Sequence, residues 1–161
     1  MSIEIRIATE QDLPSVARLT AVVQILHAAL EPEIFRNDCT HEELIGFLSD
    51  RLKEPDKTIA VAEQDGAIAG YIFFELQERP RTVFNHPRKR FYVHHISVTP
   101  DQRLQGVGSS LMAFVEAQAE AAGVSTLALD SWATNCGALD FFSARGFSPL
   151  NFVLSKSLKP G

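Results

Sequence analysis

The chain has 161 residues, 45% hydrophobic and 22% charged, with a formal net charge of −5; that length predicts a single domain, residues 1–161, able to build a core without staples. The acidic balance argues against a nucleic-acid partner, which needs a clustered basic face, and no apolar run approaches the roughly 20 residues of a membrane helix. The start MSIEIRIATEQ lacks the apolar stretch of a secretory signal, and Cys39 and Cys136 stand far apart without metal spacing, so free thiols, a cytoplasmic protein, no membrane partner and no metal are expected.

Ile3, Ile5 and Ile7 alternate with polar residues, as in a half-buried strand. Thr9 to Asp12 reads as a capping box, and Leu13, Val16, Ala17, Leu19, Val23, Leu26 and Leu30 recur at helical spacing. EPEIFRND breaks that helix. A second capping box, Thr40 to Glu43, opens a short helix that runs to Pro55. TIAVAEQ and AIAGYIFFELQ are strands joined by Asp65-Gly66, a strong hairpin signal. The loop ERPRTVFNHPRKR leads into the strand FYVHHISV, a glycine turn, and a helix that stops at Gly123. STLALDSW is another strand, Asn135 to Arg145 a helix, and FSPLNFVLSKSL one or two final strands. The expected order is β-α-α-β-β-β-α-β-α-β, without repeat, low-complexity tract or linker.

The glycine turn, Arg103-Leu104-Gln105-Gly106-Val107-Gly108-Ser109, sits between a strand and a helix start. The first N–H groups of a helix lack internal partners and carry partial positive charge, so such a turn suits an anion. Taken alone, Gly-x-Gly is a weak signal. The chain has no GxxxxGK[ST] and no third glycine to complete GxGxxG.

Two motifs identify the ligand. Arg103-Leu104-Gln105-Gly106-Val107-Gly108 matches [RQ]-x-x-G-x-[GA], and Asn135 to Phe147 matches N-x-x-A-x-x-F-Y-x-x-x-G-F at all defined positions but one, where Phe142 replaces tyrosine. With the element order, these resemble the GCN5-related N-acetyltransferase (GNAT) superfamily over nearly the whole chain. The resemblance implies an α/β (α+β) fold: a single-domain mixed sheet of six to seven strands flanked by about four helices. It also implies an enzyme, an N-acetyltransferase that uses acetyl-CoA as acyl-donor co-substrate, without metal, for direct attack by a primary amine in a ternary complex.

The implied roles follow position by position. Main-chain groups of Arg103, Leu104, Gln105, Gly106, Val107, Gly108 and Ser109 hold the CoA pyrophosphate. The main chain of Ile96, Ser97 and Val98 pairs with the pantetheine arm, and the Ile96 N–H polarises the thioester carbonyl. Asn135 and Phe142 belong to the same cofactor set, although Asn135 also suits a plain helix N-cap and Phe142 plain core. An alkyl amine has a pKa of about 10.4 and must lose a proton. His94 and His95 are the candidate bases, since histidine titrates near pH 6.5, about the only side chain that does. Strand alternation would turn them to opposite faces, and Glu75 on the neighbouring strand is a further, water-mediated candidate.

Phe142 has no proton for the departing thiolate. Three readings stay open: no acid is needed, Cys136, Ser143 or Tyr92 substitutes, or the chain binds acyl-CoA as a module with little turnover. The acceptor is a small-molecule amine or a protein amino group. The acids of Glu31 to Asp38 favour a cationic acceptor, Arg79, Arg81, Arg88, Lys89 and Arg90 an acidic one, and a zwitterion reconciles both. Family members often dimerise, so a homodimer is among the expected states.

Overall fold

A computed structural model describes residues 2–102 and 105–161. These fall into two compact units, Met1–Asp130 and Ser131–Gly161. The first holds β1 (Ile3–Ile7), α1 (Leu13–Leu30), α2 (His41–Leu52), β2 (Lys57–Gln64), β3 (Ala67–Arg79), β4 (Arg88–Val98), α3 (Val107–Ala121) and β5 (Leu127–Leu129). The second holds α4 (Cys136–Ala144).

The strands form one sheet in the order β1-β2-β3-β4-β5, antiparallel except for the parallel β4–β5 pair. Local chemistry sets most of the boundaries. At the start of α2 the Thr40 N–H donates to Glu43 Oε2 at 2.8 Å, and the Glu43 N–H donates back to Thr40 Oγ1 at 3.1 Å; each satisfies a backbone donor or its cap. Before α1 the Thr9 N–H donates to Asp12 Oδ2 at 2.8 Å, and Arg6 grips the same carboxylate through two nitrogens at 2.8 and 2.9 Å. The hydrogen bonds from Arg6 hold Asp12 down at about 2, against the opposing effect of burial. Asp65 and Gly66 both adopt positive φ, 53° and 77°, as a two-residue hairpin turn requires.

Helices α1 and α2 cover one face of the sheet. Leu13, Val16, Leu19 and Leu48 pack there with Ile59, Val61, Tyr71 and Phe73. On the other face α3 approaches closely because residue 70 is glycine: a Cβ there would lie 2.9 Å from the Ser97 carbonyl oxygen and 3.1 Å from Val107 Cγ1. Phe74 packs near Phe91 and Phe114 on this side.

The fold class agrees with expectation, while two details differ. Among the described residues the sheet has five strands rather than six or seven. FSPLNFVLSKSL forms no strand, and Leu150, Phe152, Val153, Leu154 and Leu158 are 79–93% exposed. β-Propensity describes fit to a pleated, half-buried surface, and the side chains of this segment are exposed. The strand expected at STLALDSW shrinks to Leu127–Leu129. Second, Glu10–Leu30 is by length and apolarity alone long enough to cross a membrane, against the expectation of no such run. Its buried residues Leu13, Val16, Ala17 and Leu19 are part of the core beneath the sheet.

Candidate active site

The site is built around an irregularity in β4. Phe74 pairs with Val93, but Phe73 pairs with His95, so His94 is an extra residue in the strand. A bulge of this kind sets two residues opposite one and breaks period-2 alternation. The expectation that His94 and His95 face opposite ways is therefore corrected. Both rings lie on Phe73, His94 stacked at 4.7 Å between centroids and His95 edge-on at 5.4 Å.

The two histidines have different surroundings. His95 is largely buried, between Phe73, Phe47 and Tyr71, and its Nδ1 is 3.2 Å from the Tyr71 hydroxyl. That hydroxyl meets Thr20 Oγ1 at 2.8 Å, and Thr20 Oγ1 also reaches the Val16 carbonyl at 2.9 Å. Burial, followed by the charges of His94 and His27, pushes His95 down to about 4, so its ring is neutral at neutral pH. Burial also holds the Tyr71 phenol far above its usual range. Thr20 has one proton for two acceptors. When it serves Val16, Tyr71 donates to Thr20 and His95 Nδ1 carries hydrogen; when it serves Tyr71, Tyr71 donates to His95 Nδ1.

His94 is more open and its Nε2 is 3.1 Å from Glu75 Oε1. Glu75 also accepts from Gln77 Nε2 at 2.7 Å and pairs with Lys57 Nζ at 3.3 Å. Burial alone would raise the Glu75 carboxyl, but the hydrogen bonds from Gln77, Lys57 and His94 outweigh it and hold it below the ordinary range. Glu75 is thus an ionised partner of His94. With Nε2–H committed to Glu75, the neutral His94 ring presents Nδ1 as its acceptor. Lys57 is directly opposite Glu75 in the β2–β3 register, a pairing that follows once the hairpin is aligned. Tyr92 lies 4.9 Å from His94, and its hydroxyl donates to Asp130 Oδ2. Burial, then that bond and charge, raise the Tyr92 phenol well above normal, which makes it a poor proton donor.

Beyond the bulge the β4–β5 ladder ends at the Val93–Leu129 pair, while β4 continues to Val98. The Thr99 N–H donates to the Ala69 carbonyl at 2.8 Å. Hydrogen-bonding direction alternates along a strand, so Ser97 and His95 direct their main chain to β3, and Ile96 and Val98 direct theirs to the opposite edge. Ser97 also buries its side chain, with Oγ 3.3 Å from the Leu19 carbonyl.

At the glycine turn, Arg103 and Leu104 lie outside the described residues. Gln105 and Gly106 are exposed, and Gly106 takes φ 86° with no atom of the described residues within 4 Å of where a Cβ would sit. Among the described residues no side chain caps α3, and the N–H groups of Val107, Gly108 and Ser109 precede the first helical bond, Ser110 N–H to the Gly106 carbonyl at 2.9 Å. Val107 is buried and anchors this end. Open space in front of uncapped donors fits a phosphate group.

In the second unit Asn135 Oδ1 accepts from the Ala138 N–H at 3.2 Å, an N-cap for α4. Phe142 is buried, with Phe141 and Phe147 at 5.4 and 5.8 Å. Cys39 and Cys136 are both free. In the connection between α1 and α2, Arg36 pairs with Asp38 at 2.9 Å and with Glu43 at 3.5 Å, so one of the three acids there already has a cation. A cavity of about 330 Å³ lies along Pro32–Asp38, and another of about 380 Å³ beside the β3–β4 turn. Neither is lined by His94, His95 or Glu75.

The sequence pattern described as the acetyltransferase (GNAT) family matches residues 21–147. An aminoalkylphosphonate N-acetyltransferase from Salmonella typhimurium is 26% identical over 155 residues, which cover 96% of this chain and 91% of that protein. Among solved structures, a tetramutant of the BH1408 protein from Bacillus halodurans superposes with TM-score 0.90 at 23% identity, covering 96% of this chain and 99% of that one. An aminoglycoside N-acetyltransferase in complex with CoA gives TM-score 0.75 at 18% identity, covering 99% and 96%. A predicted acetyltransferase with acetyl-CoA from Clostridium acetobutylicum gives 0.71 at 16%, covering 98% and 97%. These likenesses are to the fold, and the family match spans most of the residues that build it: the chain belongs to the acetyltransferase (GNAT) family.

Proposed function

We propose that this chain transfers the acetyl group of acetyl-CoA to the primary amine of a small molecule, by direct attack with both substrates bound. The observation that carries the reading is the bulge, which sets His94 beside Glu75 on a strand whose far edge, among the described residues, has no ladder partner beyond Val93. The N-acetyltransferase relative from Salmonella and the CoA-bound structural neighbours support the donor and the reaction class.

When bound, acetyl-CoA supplies an acyl carbon activated as a thioester. The chain's own residues do the rest. The uncapped N–H groups of Val107, Gly108 and Ser109, with the preceding residues Arg103 to Gly106, hold the pyrophosphate. Main-chain groups of Ile96 and Val98 align the extended arm, and the Ile96 N–H polarises the carbonyl. His94 Nδ1 takes the proton of the acceptor amine while Glu75 fixes the tautomer and offers a countercharge, a base-and-orienter arrangement. His95, held neutral by burial, positions Phe73 and the bulge. The sulfur departs as thiolate without a dedicated acid, since a thiol near its reference pKa of about 8.5 is a tolerable leaving group.

Phe142, buried and without a hydroxyl, favours one other reading: an acyl-CoA-binding module with little turnover. A CoA-thiol release assay with acetyl-CoA and a panel of small amines separates the two. Amine-dependent release well above hydrolysis supports the transferase. Tight acetyl-CoA binding without release on any amine supports the module.

A further inference from the structure

Beyond the bulge, toward the β3–β4 turn, the face that carries His94 becomes cationic. On β3, side chains two residues apart share a face, so Glu75, Gln77 and Arg79 follow one another, opposite Tyr92, Arg90 and Arg88. Arg79 and Arg88 stand directly opposite each other. Like charges in that relation destabilise a sheet unless a counter-ion answers them. Both line the cavity beside the turn.

Arg90 is the member nearest the histidine. Its Nε donates to Gln77 Oε1 at 2.8 Å, and its guanidinium lies over the Tyr92 ring, 5.2 Å from the centroid. Among the described residues it has no carboxylate partner. Lys57 on β2 and Arg51 on α2 are paired with Glu54. The nearby carboxylate of Asp130 is engaged by the Tyr92 hydroxyl. Arg90 is thus held in place by an amide and a ring, neither of which neutralises it.

From the guanidinium to Tyr92 is 5.2 Å, and from Tyr92 to His94 is 4.9 Å, which bounds the separation at about 10 Å. Hydrogen bonds of about 2.9 Å at each end leave room for an amine and an acid group separated by one to three carbons.

We propose that Arg90, extended by Arg88 and Arg79, binds the anionic group of a short zwitterionic acceptor, an aminoalkyl-phosphonate, -phosphate or -carboxylate, whose amine is presented to His94. This rests on the transferase reading and selects among its acceptors: anionic amines over neutral or polycationic ones. Arg90 is then a specificity residue, bidentate toward a phosphonate or carboxylate.

The test compares kcat/KM by CoA release for 2-aminoethylphosphonate and β-alanine against propylamine and putrescine. The wild type is expected to favour at least one of the anionic amines by about tenfold or more, the scale set by a polar group left unanswered. Arg90→Gln should collapse that ratio through KM for the anionic amine, and Arg90→Lys should restore part of it. Arg18→Gln, on the exposed side of α1, should keep the ratio. Equal or better use of propylamine or putrescine by the wild type overturns the inference and leaves the transferase standing. So does an Arg90→Gln protein that keeps the wild-type ratio. Absence of turnover with all four amines overturns the transferase reading and the inference with it.

Discussion

The hydroxyl of Tyr71 stands 3.2 Å from Nδ1 of His95, and this contact ties a histidine on β4 to Thr20 on α1 by way of β3. Burial keeps the His95 ring uncharged down to about pH 4, whereas in the unfolded chain it titrates near pH 6.5, about its ordinary value. Between those values the unfolded state binds the extra proton, so stability rises with pH across the window. Lowering the pH from 6.5 to 4 should cost up to about 3 kcal/mol from this residue. Urea midpoints at pH 7 and pH 4.5 measure it. His95→Gln should flatten the difference, and an equally steep difference in that variant would assign the effect elsewhere.

His94 and Glu75 are expected to act as a unit. His94→Ala should lower kcat/KM by about 10²-fold or more, the scale of a general base. Glu75→Gln leaves a ring without a countercharge or a fixed tautomer and should cost less, about tenfold. A His94→Ala enzyme with the wild-type rate would exclude it as the base.

At Gly106 the backbone φ of 86° and the open space beyond it make two separable demands. Gly106→Ala meets no atom among the described residues, and the positive φ makes its effect conformational, about 1 kcal/mol of stability. Gly106→Asp adds bulk and a like charge before the uncapped donors of α3, and acetyl-CoA binding should weaken by about tenfold or more. Calorimetric titration of the folded variants checks both. Unchanged affinity in Gly106→Asp would remove the pyrophosphate assignment.

Gly70→Ala should be destabilising for a different reason. The new Cβ would meet the Ser97 carbonyl oxygen at 2.9 Å, Val107 at 3.1 Å and Leu111 at 3.3 Å. The Ser97 oxygen is backbone and cannot swing aside, so the β3–β4 spacing and the packing of α3 must both adjust, at a cost of about 1–3 kcal/mol. A chemical denaturation curve superimposable on the wild type would show that the helix yields more easily than this packing implies.

Features set by neighbours along the chain are legible in the sequence. Thr40 and Glu43 signal their capping box three residues apart, and Asp65-Gly66 signals its hairpin because few residue pairs accept positive φ twice. The glycine turn is readable for the same reason, although two of its residues lie outside those described. The bulge at His94 is not, because alternation is the signal that assigns side chains to the faces of a strand and a bulge is a break in it. Nor is the Tyr71–Thr20 contact, which joins residues 51 positions apart. Phe152, Val153 and Leu154 point to C-terminal strands that do not form: their composition suits a sheet, but pairing needs a ladder that composition does not report.

Doubling two histidines onto one face has a consequence for the main chain. Two adjacent β4 residues oppose the single residue Phe73, so one rung of the β3–β4 ladder is shared where two would stand. On the other side of β4 the next rungs are missing as well, because β5 stops at Leu129. Backbone protection therefore thins on both edges of the same few residues. Local opening is easiest where ladder bonds are few, and substrates that bridge both edges are expected to slow amide exchange at His94 to Ile96.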